Sequence, residues 1–547
     1  MGRKSRQKRH DAPASPETPA EVDGQRGEPP LPFSPAAASA LLAAAFLLPN
    51  VLALGFGFVY DDFPIIVENA RLHSLSRLGE VFTHGYWPDR PGLTAYRPVV
   101  QGLWALLWAA GSGSPFPFHL AGLATGLAAT LLAHRVLLAL RVPARPAFAA
   151  ALLFALLPIH VEATASVVGM AETLAAALGL GALLAYARGQ GRRALAFALW
   201  IPAVFTKESA AALPALLPFL WRIEGSPLPT RRRIAIEGSA VACVVGAALL
   251  ARRLVSEGPV FIPPIDNPMS LVGPVQRVLS ALWVQLLYLL RCLVPLHLAA
   301  DASYREVPLV MGPDDPRAWG GIALLAAAAW LFRCRPGARL PIALWVVPFL
   351  ATSNLLFPVG TMMGERLAYL PSLGLCLGVA LAAKQAAGTA GGVAARRAGK
   401  EAAPTPTSRL AAAPAVLLAL AALVAVLLGA RSAARSLAWK DADSFYPAMA
   451  EESPGSARAW YSLGVWHASR ESDAEALAAF DRAVGIFLPY PEAWNNRGNA
   501  LVALGRLDEA KESYRQAVRF DPGHSGAAAS LSALELGIPF RPQRRKL

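Results

Sequence analysis

Charge is scarce in this 547-residue chain. Asp, Glu, Lys and Arg make up 16% of it, against about a quarter in soluble domains. That shortage, with 55% hydrophobic residues and a mean hydropathy of +0.41, excludes an ordinary soluble globule. Cysteine is nearly absent too. Cys243, Cys292, Cys334 and Cys376 stand singly in apolar segments, with no CxxC and no metal-ligand spacing. This excludes a disulfide scaffold or a zinc module and leaves them as small buried hydrophobes. Lysine is sparse against abundant Ala, Leu, Arg, Gly and Pro, a bias that points to a GC-rich bacterial source. The net charge of +14 is not spread as a nucleic-acid footprint, and no nucleic-acid partner is expected. Its Lys and Arg sit in short clusters between apolar runs, as in loops that obey the positive-inside rule.

What is present is a series of apolar runs. Residues 1–35 are polar, basic and proline-rich, and read as a disordered cytoplasmic tail. The first span is expected over about 36–58, too long for a signal peptide. Others follow at about 118–140, 147–159, 170–187, 194–206, 209–221, 234–252, 317–332, 340–352, 367–385 and 411–430. That makes about eleven, with basic clusters such as Arg231-Arg232-Arg233 and Arg396-Arg397 on the cytoplasmic side. Residues 271–300 are apolar, but a crossing there breaks the parity, so they read as re-entrant or interfacial. Arg97 to Trp108 is too short to span, and Trp104 and Trp108 share one helical face, as in a helix lying in the membrane interface.

The loops opposite the basic clusters hold nearly all the remaining charge. They carry Tyr60-Asp61-Asp62, Arg97, His160-Val161-Glu162, Lys207-Glu208, Asp266-Asn267-Pro268, Asp301 and Glu365-Arg366. A stop-transfer pair is the plain alternative for Asp61 and Asp62, but solvated helix ends would scatter charge over both faces. Ionisable groups at membrane depth are functional candidates.

After the last span the character changes. Residues 433–456 read as linking helices. Trp460, Ala476, Phe480 and Ala483 then recur 34 residues later as Trp494, Ala510, Tyr514 and Ala517. This period, with large and small residues at fixed offsets, marks a tetratricopeptide repeat (TPR). Two repeats and a cap helix are expected over 457–536, then a basic tail over 537–547. The fold class expected is all-α: a polytopic membrane bundle over about 36–432 with a C-terminal TPR solenoid.

Acids and cations at one membrane face suit sugar transfer from a lipid phosphate. A carboxylate takes the proton from an incoming hydroxyl, cations stabilise the leaving phosphate, and direct displacement inverts the anomeric centre. Asp61, Asp62, Arg97, Lys207 and Arg366 have the right types and side.

These pieces carry a resemblance. Phe58-Val59-Tyr60-Asp61-Asp62, Tyr96-Arg97-Pro98, Pro117-Phe118-His119-Leu120, Pro158-Ile159-His160-Val161-Glu162, Lys207-Glu208, Asp266-Asn267-Pro268, and Ser353 to Gly360 with Glu365 to Ser372 run in order, followed by TPRs. The chain resembles the transmembrane and TPR repeat-containing O-mannosyltransferases of the GT-C glycosyltransferase superfamily. The resemblance implies a polyprenyl-phosphate-linked sugar donor, mannose in type, and a Ser or Thr hydroxyl of a protein acceptor held by the TPRs. It implies catalysis outside the cytoplasm, here at a bacterial inner membrane with the TPR module outside. It also implies that Asp62 or Asp61 is the general base, with Asp62 placed first. Arg97, Lys207, Arg366 and His160 are candidates for the donor phosphate, and Glu162 for a metal or a positioning role. No cofactor is assigned, a divalent cation being compatible with these acids. Departures from the pattern are the short TPR array and apolar residues at Leu157-Pro158 and Gly169-Met170. Competing functions are an oligosaccharide ligase or polymerase, which lacks here its usual large late loop, and a non-catalytic membrane-anchored TPR scaffold.

Overall fold

The computed structural model of the chain describes residues 31–88, 95–222, 228–256, 261–398 and 409–540. The basic tail over 1–30, the end of the chain over 541–547 and the basic loop at Lys400 lie outside the described residues. All regular structure among the described residues is helical.

Two bodies follow one another. The first runs from the helix Pro35–Asn50 to the helix Arg409–Ser436. Its first helix opens on Ser34, whose hydroxyl accepts from the Ala37 N–H, with proline at the next position, where its missing N–H costs nothing. Five helices are long and apolar enough to cross a membrane: Pro35–Gly55, Phe116–Ala139, Met170–Ala187, Arg231–Val255 and Leu418–Trp439. A sixth crossing would be the pair Ala144–Leu156 and Pro158–Ala165, bent by 52°. Several other expected spans are shorter helices. Prolines break them, as Pro214 and Pro218 do to the 209–221 run, which becomes a 3-10 helix over Glu208–Leu216 and one turn over Leu217–Trp221.

The 271–300 run forms the 20-residue helix Pro274–Leu293. Both of its ends meet one loop: Arg277 donates to the Leu356 carbonyl, and Arg291 lies 3.7 Å from Glu365. The helix therefore runs along that loop's layer. The helix Pro98–Gly111 differs from expectation. Trp104 is fully buried against Tyr86, and Trp108 stacks on His73 at 3.9 Å. The loop over 63–88 folds down as a cap, so both indoles face protein rather than the membrane interface.

The bend at Leu157-Pro158 lets a short helix, Val161–Ala165, turn back into the protein. A Cβ on Gly169 would sit 2.4 Å from the Glu162 carbonyl oxygen, so only glycine lets the chain after this short helix lie against it.

The second body is the TPR stack: Ala457–Ser469, Asp473–Ile486, Pro491–Ala503, Leu507–Phe520 and the cap Ser525–Glu535. Gly464 and Gly498, also 34 residues apart, each face an aromatic ring, Phe480 and Tyr514, at a distance no Cβ could share. The repeat spacing thus records a close glycine–ring contact made in each helix pair. A linking helix, Ala442–Glu452, precedes the stack. Trp439, Phe445, Tyr446 and Met449 pack with Phe56, Val59, Val161 and Ala459 in one buried cluster, so the stack is seated on the first body.

Candidate functional site

A cavity of about 580 Å³ lies where the two bodies meet. Its charged lining includes Asp61, Arg97, Glu162, Lys207, Glu208 and Arg366. Another wall is apolar: Val204 and Phe205, Ala211 and Ala212, and Val245, Ala248 and Leu249 of the helix Arg231–Val255, which is otherwise largely exposed. Leu356 and Phe357, both exposed, border the same side.

The two acids of the first loop have different surroundings. Tyr60 adopts a left-handed backbone, φ 51°, which turns the chain sharply before the pair. Asp61 lines the cavity and lies 3.3 Å from the Arg366 guanidinium. Asp62 points the other way and is 0% exposed. It accepts from the Val59 N–H at 3.1 Å and the Val168 N–H at 2.9 Å, with the Ser166 hydroxyl at 3.5 Å. Burial pushes its pKa up to about 7, against the pull of those backbone donors. Asp62 thus pins the first loop to the turn over 166–168 and is absent from the cavity lining.

Each cation meets a carboxylate. Arg366 bridges Asp61 and Glu162, at 3.3 Å to each, and its backbone N–H donates to Glu162 at 2.8 Å. Lys207 pairs with Glu172 at 2.6 Å. Arg97 forms a forked contact with Glu208, 3.0 Å at its shortest, and its guanidinium lies 4.7 Å from the centre of the Tyr86 ring. These residues come from widely separated parts of the sequence, and the fold brings Asp61, Arg97, Glu162, Lys207 and Arg366 to one chamber. Such preorganised, partly buried charge can orient an anionic group and act on a hydroxyl beside it.

His160 is placed elsewhere. It is buried between the Phe154 and Tyr369 rings, its Nε2 is 2.7 Å from the Ser372 hydroxyl, and it is outside the cavity lining. Among the described residues, no group of three His, Cys, Asp or Glu is placed to hold a metal ion. Asn267 also has a structural position, donating to Asn354 at 2.8 Å and to the Val359 carbonyl at 2.7 Å, which shapes the loop bordering the cavity.

Sequence reasoning missed several lining groups. Glu208 was visible only as the neighbour of Lys207, and Tyr86 only as one aromatic of the first loop. Arg458 was not singled out at all. It lies in the first TPR helix, yet it lines the cavity, pairs with Asp266 and hydrogen-bonds Tyr60. No periodic signal marks it, because its role depends on how the stack docks.

Residues 491–524 match the tetratricopeptide repeat family. The chain is 27% identical over 368 residues to the mouse Protein O-mannosyl-transferase TMTC3, covering 59% of this chain and 40% of that protein. It is 27% identical over 550 residues to Drosophila melanogaster Protein O-mannosyl-transferase Tmtc3, covering 85% and 57%. It is 25% identical over 354 residues to the Caenorhabditis elegans Protein O-mannosyl-transferase F38B6.6, covering 62% and 50%. The chain therefore spans about two fifths to under three fifths of the length of these curated relatives. With its long apolar helices, its docked repeat stack and these relatives, the chain is similar to the transmembrane and TPR repeat-containing O-mannosyltransferases.

Proposed function

We propose that this protein transfers a sugar, mannose by the names of its relatives, from a polyprenyl-phosphate donor to a Ser or Thr hydroxyl of a protein. The observation that carries this reading is the cavity beside Asp61: Arg366, Lys207 and Arg97 on one side, an apolar wall toward the exposed helix Arg231–Val255 on the other. The donor's chain suits the apolar wall and its phosphate suits the cations. Asp61, rather than Asp62, is the general base, because its carboxylate borders the chamber while that of Asp62 is spent on backbone N–H groups.

In the transfer step Asp61 accepts the proton of the acceptor hydroxyl as its oxygen bonds to the anomeric carbon. The bond from that carbon to the phosphate oxygen breaks, and its electron pair leaves with the phosphate. Arg366 meets the growing charge, and Glu162 holds Arg366 in place. Single displacement inverts the anomeric centre. Arg97 and Lys207 act at the same phosphate. His160 has a packing role. The TPR stack lies on the cavity's side of the membrane helices, so the acceptor arrives from there, which by the charge of the basic loops is outside the cytoplasm of a bacterial cell.

The test is transfer by purified membranes given polyprenyl-phosphate mannose and an acceptor peptide. Wild type should label the peptide, with loss in Asp61→Asn. Equal transfer by wild type and this variant would sink the assignment.

A further inference from the structure

The TPR stack does more than sit above the cavity. The N-terminus of its first helix, Ala457–Ser469, is built into the loops that form it. Ser456 caps that helix, its hydroxyl accepting from the Ala459 N–H at 3.0 Å and meeting the Asp301 carboxylate at 2.5 Å. Ser453 donates to the Asp301 carbonyl at 2.7 Å, and the Gly455 N–H donates to Glu306 at 3.0 Å. A carboxylate at a helix N-terminus satisfies otherwise orphaned donors. Two residues into this anchored helix stands Arg458, which pairs with Asp266 and hydrogen-bonds the Tyr60 hydroxyl. Tyr60 also packs on Phe445 of the linking helix, with ring centres 5.4 Å apart. Tyr60 is the residue whose left-handed backbone precedes Asp61.

We propose that Arg458 is a positioning residue of the transfer site: by clamping Tyr60 to Asp266 it fixes the turn that aims the Asp61 carboxylate at Arg366. This rests on the reading of Asp61 as the general base. The physical argument is that Tyr60 holds an uncommon backbone for a bulky residue, so the conformation persists only when its surroundings over-determine it. The surroundings here are a ring contact and a charge-assisted hydrogen bond, and both come from beyond the last membrane helix. The repeat stack is thereby part of the site, and not only an arm that carries the acceptor. Truncating it would open the chamber even for a free peptide.

The full chain in nanodiscs tests this in two ways. The first uses no substrate: hydrogen exchange of Arg458→Met should rise about tenfold or more at the 57–63 amides, while the second TPR helix pair keeps its protection. Unchanged exchange at 57–63 overturns the proposal whatever the protein transfers. The second is kinetic. A carboxylate misplaced by about 1 Å costs on the order of 100-fold, so Arg458→Met should lower kcat by that factor with donor KM within about twofold. Arg458→Lys, which keeps the pair with Asp266, should restore most of the rate. Tyr60→Phe should lower kcat similarly, and the double variant Arg458→Met/Tyr60→Phe should be no worse than either single one. A raised donor KM at unchanged kcat, or additive losses, would make Arg458 a donor-binding group and refute the clamp. If exchange rises as expected but Asp61→Asn still transfers sugar, the clamp stands and the base assignment falls.

Discussion

Two clusters of ion pairs lie at opposite ends of the membrane helices, and only one borders the cavity. At the cavity, Arg366 meets Asp61 and Glu162, Lys207 meets Glu172, and Arg97 meets Glu208. At the other end, Glu237 is 2.8 Å from Arg233 and 3.8 Å from Arg193, and it accepts from the Tyr186 hydroxyl at 2.6 Å. Trp221 and Arg233 donate to that same hydroxyl. The second cluster is as well satisfied as the first, yet it lies outside the cavity lining. It ties the foot of the exposed helix Arg231–Val255 to its neighbours. A network of paired charge inside a membrane body therefore does not by itself identify a site. The discriminating features are a chamber beside the pairs and a carboxylate, Asp61, with an open face.

The comparison breaks first at Asp61. Asp61→Asn should lower transfer by about 10²–10⁴-fold, the range for loss of a general base, with the thermal midpoint nearly unchanged because the side chain is partly exposed. A loss of midpoint matching the loss of rate would put Asp61 with the structural cluster instead.

Lys207 tests whether a buried pair can serve both ends. Lys207→Met leaves Glu172 buried without its direct ion-pair partner, which costs up to about 3–5 kcal/mol. Adding Glu172→Gln removes the stranded charge, so the double variant should recover most of that stability. Transfer should not recover with it. Recovery of both, read by thermal midpoint and peptide labelling, would make Lys207 purely structural.

The sequence made the all-helical class and the repeat stack readable, because both rest on periodicity: apolar runs, and a 34-residue spacing that Gly464 and Gly498 share with the rings they touch. The side on which charge collects was also readable, since Asp61, Arg97, Glu162, Lys207 and Arg366 share one chamber. The roles inside the set were not. Asp61 and Asp62 are adjacent, and only the left-handed turn at Tyr60 decides which one faces the chamber and which faces the backbone. His160 looked like its charged neighbours, but its place between the Phe154 and Tyr369 rings needs two distant segments, 154–160 and 369–372, to meet. Arg231-Arg232-Arg233 marked a cytoplasmic loop, yet Arg233 also closes the Glu237 cluster one helical turn on, a pairing hidden by the apolar run around it.

At that second cluster the expected effect is on stability alone. Glu237→Gln keeps the shape but weakens hydrogen bonds to charged partners, worth about 1.5–3 kcal/mol. The thermal midpoint should fall, while transfer per folded molecule stays at wild type. A rate loss at full folding would mean that the helix Arg231–Val255, whose Val245, Ala248 and Leu249 form the apolar wall, transmits its footing to the cavity.

The last effect is one of pH alone, at Asp62, the acid that stands between the two kinds of role. Burial raises its pKa from 3.8 to about 7. Between those values the folded chain holds a proton that the unfolded chain releases, so stability declines as pH rises through that window and levels off above about 7. The thermal midpoint of wild type should fall over this range relative to Asp62→Asn, which has no proton to lose. Asp62→Asn should itself start lower, because its amide turns a donor toward one of the N–H groups of Val59 and Val168. A wild-type midpoint that instead rises with pH would mean that the backbone donors outweigh burial and hold Asp62 ionised. It would then be a buried anion beside the open one, Asp61, and the contrast between an open acid and a neutral, enclosed one would fail.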